Sequence, residues 1–259
     1  MRPEKVRYHI DVSWYNPDCT RSQENRSNTH MIDRPALPEA LDPAAMRLAR
    51  LEMVTRQIEA RGVTTARVLD VLRWVPRHLF ISAEDVPLAY ADHPVPIGAG
   101  QTISQPYIVA LMTDLLRLGG VECVLEIGTG SGYQAAVLAC LARQVHTIEL
   151  HAELADRARS VLQCLGLENV TVHTGDGSVG LPEFAPYQGI LAAAAAPRVP
   201  PPVLEQLDTG GRLVLPVGTR GSQYLEVWER TGQGLISDTI LPVAFVPLRG
   251  AWGWSRQEW

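Results

Sequence analysis

The chain has 259 residues, 46% hydrophobic and 20% charged, enough for one large globular domain with a sizeable core and further chain at its ends. Its formal net charge of -5 supplies no basic field for neutralising phosphates, which argues against a nucleic-acid partner. No apolar run approaches the roughly 20 residues that span a bilayer, and the N-terminus lacks the apolar core of a signal peptide. A cytoplasmic protein with no membrane association is therefore expected.

Residues 1 to about 43 mix Pro, Asn, Arg, Ser and Asp and read as an irregular extension. Met46, Leu48, Leu51, Val54 and Ile58 then recur at helical spacing up to Gly62, which is placed as a C-terminal cap. Thr64 or Thr65 can cap a second, short helix carrying Val68, Leu69, Val71 and Leu72, stopped by Pro76. Residues 82–106 are dense in Pro and Gly and read as a long ordered loop, the kind of segment that often carries function. A helix over 107–118 follows.

From there strands and helices alternate. Strands are expected over 121–127, 144–150, 170–174, 189–194, 212–217, 224–230 and 235–246, with helices over 133–142 and 152–165. This alternation predicts an α/β, doubly wound parallel sheet whose closing strands are antiparallel. The run Ala192 to Ala196 has high helix propensity but is kept as strand because the sheet needs one there. Cys19, Cys123, Cys140 and Cys164 form no CxxC pair and read as incidental thiols, not as zinc ligands or nucleophiles. No metal site is expected.

The strongest local signal is Val124-Leu125-Glu126-Ile127-Gly128-Thr129-Gly130-Ser131-Gly132, a hydrophobic strand that enters a glycine loop. Glycines allow a tight turn and a close backbone approach to a ligand. The spacing is GxGxG, and Tyr133 stands where the dinucleotide fingerprint wants its third glycine, which argues against a nicotinamide cofactor. Glu149 ends the next strand about 20 residues on, where a carboxylate can accept both hydroxyls of a ribose. Asp176-Gly177 follows the third strand, at the edge where open sheets bind ligands.

The segment Pro94-Val95-Pro96-Ile97-Gly98-Ala99-Gly100-Gln101-Thr102-Ile103-Ser104-Gln105-Pro106 resembles the signature loop of the protein-L-isoaspartate (D-aspartate) O-methyltransferase family. Val75-Pro76-Arg77-His78-Leu79-Phe80, Gly175-Asp176-Gly177, Leu213 to Gly218 and Phe245-Val246-Pro247-Leu248 are similar to further family stretches, so the resemblance runs unbroken over about residues 50–250. It implies a class I S-adenosylmethionine-dependent methyltransferase, a Rossmann-like sheet preceded by N-terminal helices. The methyltransferase domain would then span 44–250, between the extension over 1–43 and a Trp-rich tail over 251–259.

Carried over position by position, the resemblance implies that S-adenosyl-L-methionine is bound by Thr102, Ile103, Glu126, Gly128, Thr129, Gly130, Gly132, Glu149, Asp176, Gly177 and Gln223. It implies that Ser104 is the catalytic, substrate-orienting hydroxyl. The backbone of Leu215, Pro216 and Val217 is similar to a stretch that holds the substrate as an extended strand. The implied partner is a protein or peptide containing isoaspartate or aspartate, met by a monomer. A carboxylate with a pKa near 4 is already ionised at neutral pH, so the expected mechanism needs positioning and no general base. The methyl ester would collapse to a succinimide after release.

Two departures stand out: Gln188 where the family usually has aspartate, and Ala193 where it has Thr or Gly. With the extra ends, they motivate an alternative, a dedicated tailoring enzyme that methylates one aspartate of a ribosomally made peptide to form aspartimide or isoaspartate. A catalytically inert cofactor-sensing scaffold is the reading from another class, and the intact glycine loop, Glu149, Asp176 and Ser104 argue against it.

Overall fold

The computed structural model describes residues 37–259, so positions 1–36 of the extension expected over 1–43, including Cys19, lie outside the described residues. Helix α1 (Ala44–Met53) passes through a π turn (Val54–Ile58) and a 3-10 turn (Glu59–Arg61) to Gly62, whose φ of 94° ends it as expected. The inward stripe differs from the expected one. Leu48 and Leu51 are exposed, while Met53, Val54 and Ile58 are buried and Arg50 takes an inward position beside them. Arg50 turns inward because Asp42 receives it through two hydrogen bonds of 2.7 and 2.8 Å. Thr65 does sit at the start of α2 (Ala66–Trp74), but its side chain makes no capping bond.

A buried polar network ties this N-terminal layer together. Besides Asp42, Arg50 donates to the Arg73 carbonyl and to the Tyr90 hydroxyl. Burial pulls the His78 imidazole down to about 4, so it is neutral at pH 7. The Leu41 carbonyl can only accept, so Nε2 carries the proton and Nδ1 accepts from Tyr90.

The Pro/Gly-rich segment over 82–106 is more regular than its composition suggests. It folds into a 3-10 turn (Ala83–Leu88) and an antiparallel hairpin, β1 (Val95–Gly98) and β2 (Gln101–Ile103). Val95 pairs across with Ile103, and both are buried with Ile97, which anchors the hairpin that a turn-rich composition conceals.

The remaining elements are α3 (Pro106–Leu115), β3 (Cys123–Ile127), α4 (Tyr133–Ala139), β4 (Gln144–Glu149), α5 (Ala152–Cys164), β5 (Val170–Thr174), β6 (Tyr187–Ala192), α6 (Pro201–Glu205), β7 (Leu207–Thr219), β8 (Ser222–Thr231) and β9 (Gly234–Val243). The short helix α6, opened by Pro201, had no counterpart in the sequence reading. The sheet order is β5-β4-β3-β6-β7-β8-β9. Its first five strands are parallel, and β8 and β9 close it antiparallel as expected.

Alternation along the strands supplies two cores. Val124, Val145, Leu191 and Val214 join the larger one, with residues of α2 to α5. Leu125, Ile190, Leu213 and Leu215 join the smaller one, with Val203 of α6 and Leu181. The oligo-alanine is not helical, and the strand expected to run to 194 stops earlier: Ala192 ends β6, Ala193 and Ala194 form a bend, and Ala195 and Ala196 bridge to Pro247 and Val217. Among the described residues no helix is long and apolar enough to cross a membrane.

After β5 the chain returns to the other side of β3, so the carboxyl ends of β3 and β6 form the switch point where open α/β sheets bind ligands.

Replacing Asp42 by Asn leaves Arg50 buried without its carboxylate. A loss of about 3–5 kcal/mol is expected, read as a lowered urea midpoint at unchanged slope.

Candidate active site

The glycine loop follows from what the end of β3 must do. Gly128 has a φ of +91°, a conformation that disfavours side chains, and this turn lets its amide reach the Ile148 carbonyl at 2.8 Å. Gly132 opens α4 at φ +89°, and a Cβ there would stand 3.1 Å from the Ala158 Cβ, so this glycine serves the packing of the loop against α5. Glu149 is buried at the end of β4. Its Oε2 accepts the Gly130 amide at 2.8 Å and its Oε1 the His151 amide at 3.0 Å. The carboxylate thus straps the loop to its neighbour and keeps lone pairs for further donors.

Beneath the loop, Thr129 and Thr147 share a hydrogen bond of 2.6 Å, and Thr147 donates to Glu126 Oε2. Glu126 is fully buried and its Oε1 has no partner. Burial pushes this carboxyl up to about 8, with the nearby Glu149 charge adding to the shift against the Thr147 bond, so it is neutral at pH 7.

An open cleft lies over this framework. It gathers Thr102, Ile103 and Ser104 from the end of the hairpin, Gly128, Thr129 and Gly130 from the loop, Glu149, and Gly177. Ser104 is half-buried, and its carbonyl accepts a 2.6 Å hydrogen bond from Arg77 Nη2. Among the described residues no histidine or carboxylate hydrogen-bonds its hydroxyl, so the elements of a nucleophilic triad are not assembled there.

Several expected residues stand off the cleft. Glu126 and Gly132 support the loop from behind. Asp176 closes its own turn: Oδ1 accepts from the Ser178 amide and hydroxyl, and Oδ2 accepts the Ala251 amide at 2.7 Å. Gln223 is buried and clips Phe245 by two hydrogen bonds, of 2.7 Å from the Phe245 amide and 3.1 Å to its carbonyl. It therefore acts on the cleft through the wall formed by Val246 to Arg249.

Leu215, Pro216 and Val217 lie within β7, paired to β8 on one side. On the other, the Pro216 carbonyl accepts from Ala196 and the Gly218 amide donates to the Ala196 carbonyl. With both edges occupied, this stretch offers no free ladder to an added strand.

Of the two departures, Gln188 sits at the amino end of β6, opposite the cleft. It accepts from the Cys123 amide and donates to Asp208, so the carboxylate of this locality is supplied by Asp208. Ala193 does line the cleft. Tyr133, Ala194 and the 246–249 wall also line it; the sequence does not mark them as site residues, and the one local signal for the wall is the motif Phe245-Val246-Pro247-Leu248. The Trp-rich tail folds back on the domain: the Trp252 amide donates to the Ser178 hydroxyl, the Trp254 amide donates to the Leu248 carbonyl, and the Trp254 and Trp259 rings lie 5.4 Å apart.

A family model described as protein-L-isoaspartate(D-aspartate) O-methyltransferase matches residues 49–252. The chain belongs to this family. Family relatives include protein-L-isoaspartate O-methyltransferase 1 of Syntrophobacter fumaroxidans, 52% identical over 206 residues, covering 80% of this chain and 96% of that protein. The protein-L-isoaspartate O-methyltransferase of Methanoregula boonei is 54% identical over 207 residues, covering 80% and 95%.

A solved protein-L-isoaspartate O-methyltransferase superposes with a TM-score of 0.72 at 27% identity, over 80% of this chain and 67% of that one. A Plasmodium falciparum structure, described as a putative protein-L-isoaspartate O-methyltransferase beta-aspartate methyltransferase in complex with S-adenosyl-L-homocysteine, gives a TM-score of 0.68 at 22% identity, over 77% and 98%. The fold is that of the class I methyltransferases.

The Glu126 carboxyl titrates near 8 when folded and near the ordinary 4.5 when unfolded, so the folded state keeps a proton that the unfolded chain releases. Its contribution to stability is greatest below about 4.5 and is lost as pH rises through about 8. Glu126→Gln has no such dependence. Its Tm relative to wild type is expected to rise between about pH 5 and 8, by the equivalent of roughly 3–4 kcal/mol, and a pH-independent difference would contradict the assignment.

Proposed function

We propose that the protein transfers a methyl group from S-adenosyl-L-methionine to the free carboxylate of isoaspartyl residues in proteins or peptides, as an enzyme of protein repair. The observation that carries this reading is the meeting, in one cleft, of the Ser104 hydroxyl with the glycine loop and Glu149. The donor set suits the cofactor: a carboxylate with spare acceptor capacity, a loop whose glycines admit close backbone approach, and an apolar wall at Ile103. Thr102, Ile103, Gly128, Thr129, Gly130, Glu149 and Gly177 would hold it. When bound, the sulfonium cofactor supplies an electrophilic methyl group.

The chain's own work is then to hold and orient. An isoaspartyl α-carboxylate is ionised at neutral pH, so no residue must take its proton. The Ser104 hydroxyl donates to one carboxylate oxygen and turns the other toward the methyl, a contribution of several kcal/mol through positioning alone. The walls at Ala193 and Val246 to Leu248 keep water from competing. The methyl ester leaves, and the amide nitrogen of the following residue then attacks the ester carbonyl and expels methanol, closing the succinimide without the enzyme.

The substrate partner is a polypeptide, and we place the enzyme in the cytoplasm as a monomer. The acidic net charge supports a partner other than nucleic acid. The tailoring alternative draws on Gln188, on Ala193 and on the ends of the chain. Gln188 lies away from the cleft and the Trp-rich tail packs on its own domain, so neither of these supports a specialised substrate, whereas Ala193 does line the cleft.

The test is incubation with labelled S-adenosylmethionine and two peptides that differ only in isoaspartate against aspartate. Base-labile ester on the isoaspartyl peptide alone is expected, and ester on neither, with cofactor bound, would overturn the reading. Ser104→Ala is expected to lower kcat/KM by about 10- to 100-fold with little change in cofactor affinity. Glu149→Ala should weaken cofactor binding by about 2–3 kcal/mol in calorimetry, since it removes a charged acceptor and frees the loop amide it held.

A further inference from the structure

Arg77 is the largest fully buried side chain of the described residues, with no exposure at all. It opens a 3-10 turn (Arg77–Phe80) directly after Pro76, at the floor of the hairpin that ends in Ser104. Its Nε donates to the Ala89 carbonyl at 2.7 Å and its Nη2 to the Ser104 carbonyl at 2.6 Å. Its guanidinium carbon lies 4.9 Å from the centre of the Tyr133 ring. Tyr133 follows the last glycine of the loop, begins α4 and lines the cleft. Arg77 therefore touches both sides of the proposed site, the serine segment and the first turn after the glycine loop.

The way it does so is costly. Burial pulls the guanidinium down to about 10, which still leaves it cationic at neutral pH. Among the described residues no carboxylate pairs with it, Nη1 has no partner, and the Tyr133 hydroxyl beside it has none either. Arg50, the other buried arginine, shows the alternative, because Asp42 meets it with two short bonds. Two carbonyls and an aromatic face do not require a cation, and a buried charge without a counter-ion is unfavourable for stability. Only the planar, rigid fork of a guanidinium reaches two divergent carbonyls while stacking on a ring.

We propose that Arg77 is a positioning residue for methyl transfer, whose guanidinium sets the spacing between the Ser104 segment and the glycine loop through the Ser104 carbonyl and the Tyr133 ring. It touches neither substrate nor cofactor. The inference rests on the reading of Ser104 as the residue that orients the substrate carboxylate. A shift of that carbonyl displaces the hydroxyl of the same residue, and misplacement of about 1 Å costs roughly 100-fold in rate.

The experiment compares wild type, Arg77→Ala and Arg77→Lys on the isoaspartyl peptide, with cofactor affinity from calorimetry and with added methylguanidine. Arg77→Ala should lose about 100-fold in kcat while its cofactor Kd stays within about threefold, and methylguanidine should restore at least about tenfold. Arg77→Lys should remain impaired, because an ammonium does not span both carbonyls.

An Arg77→Ala protein that keeps kcat within about threefold of wild type overturns the proposal. So does a loss of kcat that methylguanidine leaves unchanged, which marks Arg77 as structural only. Where Arg77→Ala fails to fold, Arg77→Gln, a shorter neutral donor that cannot span both carbonyls, is judged by its kcat and cofactor Kd on the same criteria. Wild-type inactivity on the isoaspartyl peptide overturns the functional reading and this inference together. Failure of the inference alone shows as an active wild type with an unaffected or unrescued variant.

Discussion

The carbonyl of Ile148 accepts the amides of Gly128 and Thr129, and the carboxylate of Glu149, one residue on, accepts those of Gly130 and His151. A glycine loop has little structure of its own, and Gly loses the most conformational freedom on ordering. Its shape is therefore imposed from the neighbouring strand. The parallel pairing of β3 with β4 brings Ile127 beside Ile148, so the loop emerges where these acceptors end. Everything proposed for the cofactor depends on that register.

A second consequence lies below the loop. The hydroxyls of Thr129 and Thr147 lead down to Glu126, whose burial keeps it protonated near neutrality. Two carboxyl groups on adjacent strands thus do different work: Glu149 ties down main-chain amides at the cleft, and Glu126, which reaches a single hydroxyl, is held neutral in the core by its burial.

The opposite wall is built from parts far apart in the chain. Gln223 clips Phe245, Asp176 holds Ala251, and Ser178 holds Trp252, so the closing strands and the tail are pulled across to the turn after β5. Gly250 belongs to this arrangement, because a Cβ there would overlap the Asp176 carboxylate at 1.8 Å. Residues expected to touch the cofactor directly, Asp176 and Gln223, thus shape the cleft from its edges.

The amino-acid sequence by itself determined the order of strands and helices, the glycine loop, the acidic residue that ends β4, and the serine at the end of the hairpin. These are read from short-range periodicity and from motifs within a few residues, which is the range over which a pattern constrains the backbone. The hairpin over 95–103 was hidden because its turn residues outweigh its apolar ones, and the inward Arg50 was hidden because its carboxylate lies before the helix. Only the tertiary structure decided what the remaining polar groups do. Arg77 meets Ser104 across 27 residues, Gln223 meets Phe245 across 22, and Asp176 meets Ala251 across 75. A side chain's role is set by whichever partner satisfies its hydrogen bonds, and when that partner arrives from a distant element no local pattern records it.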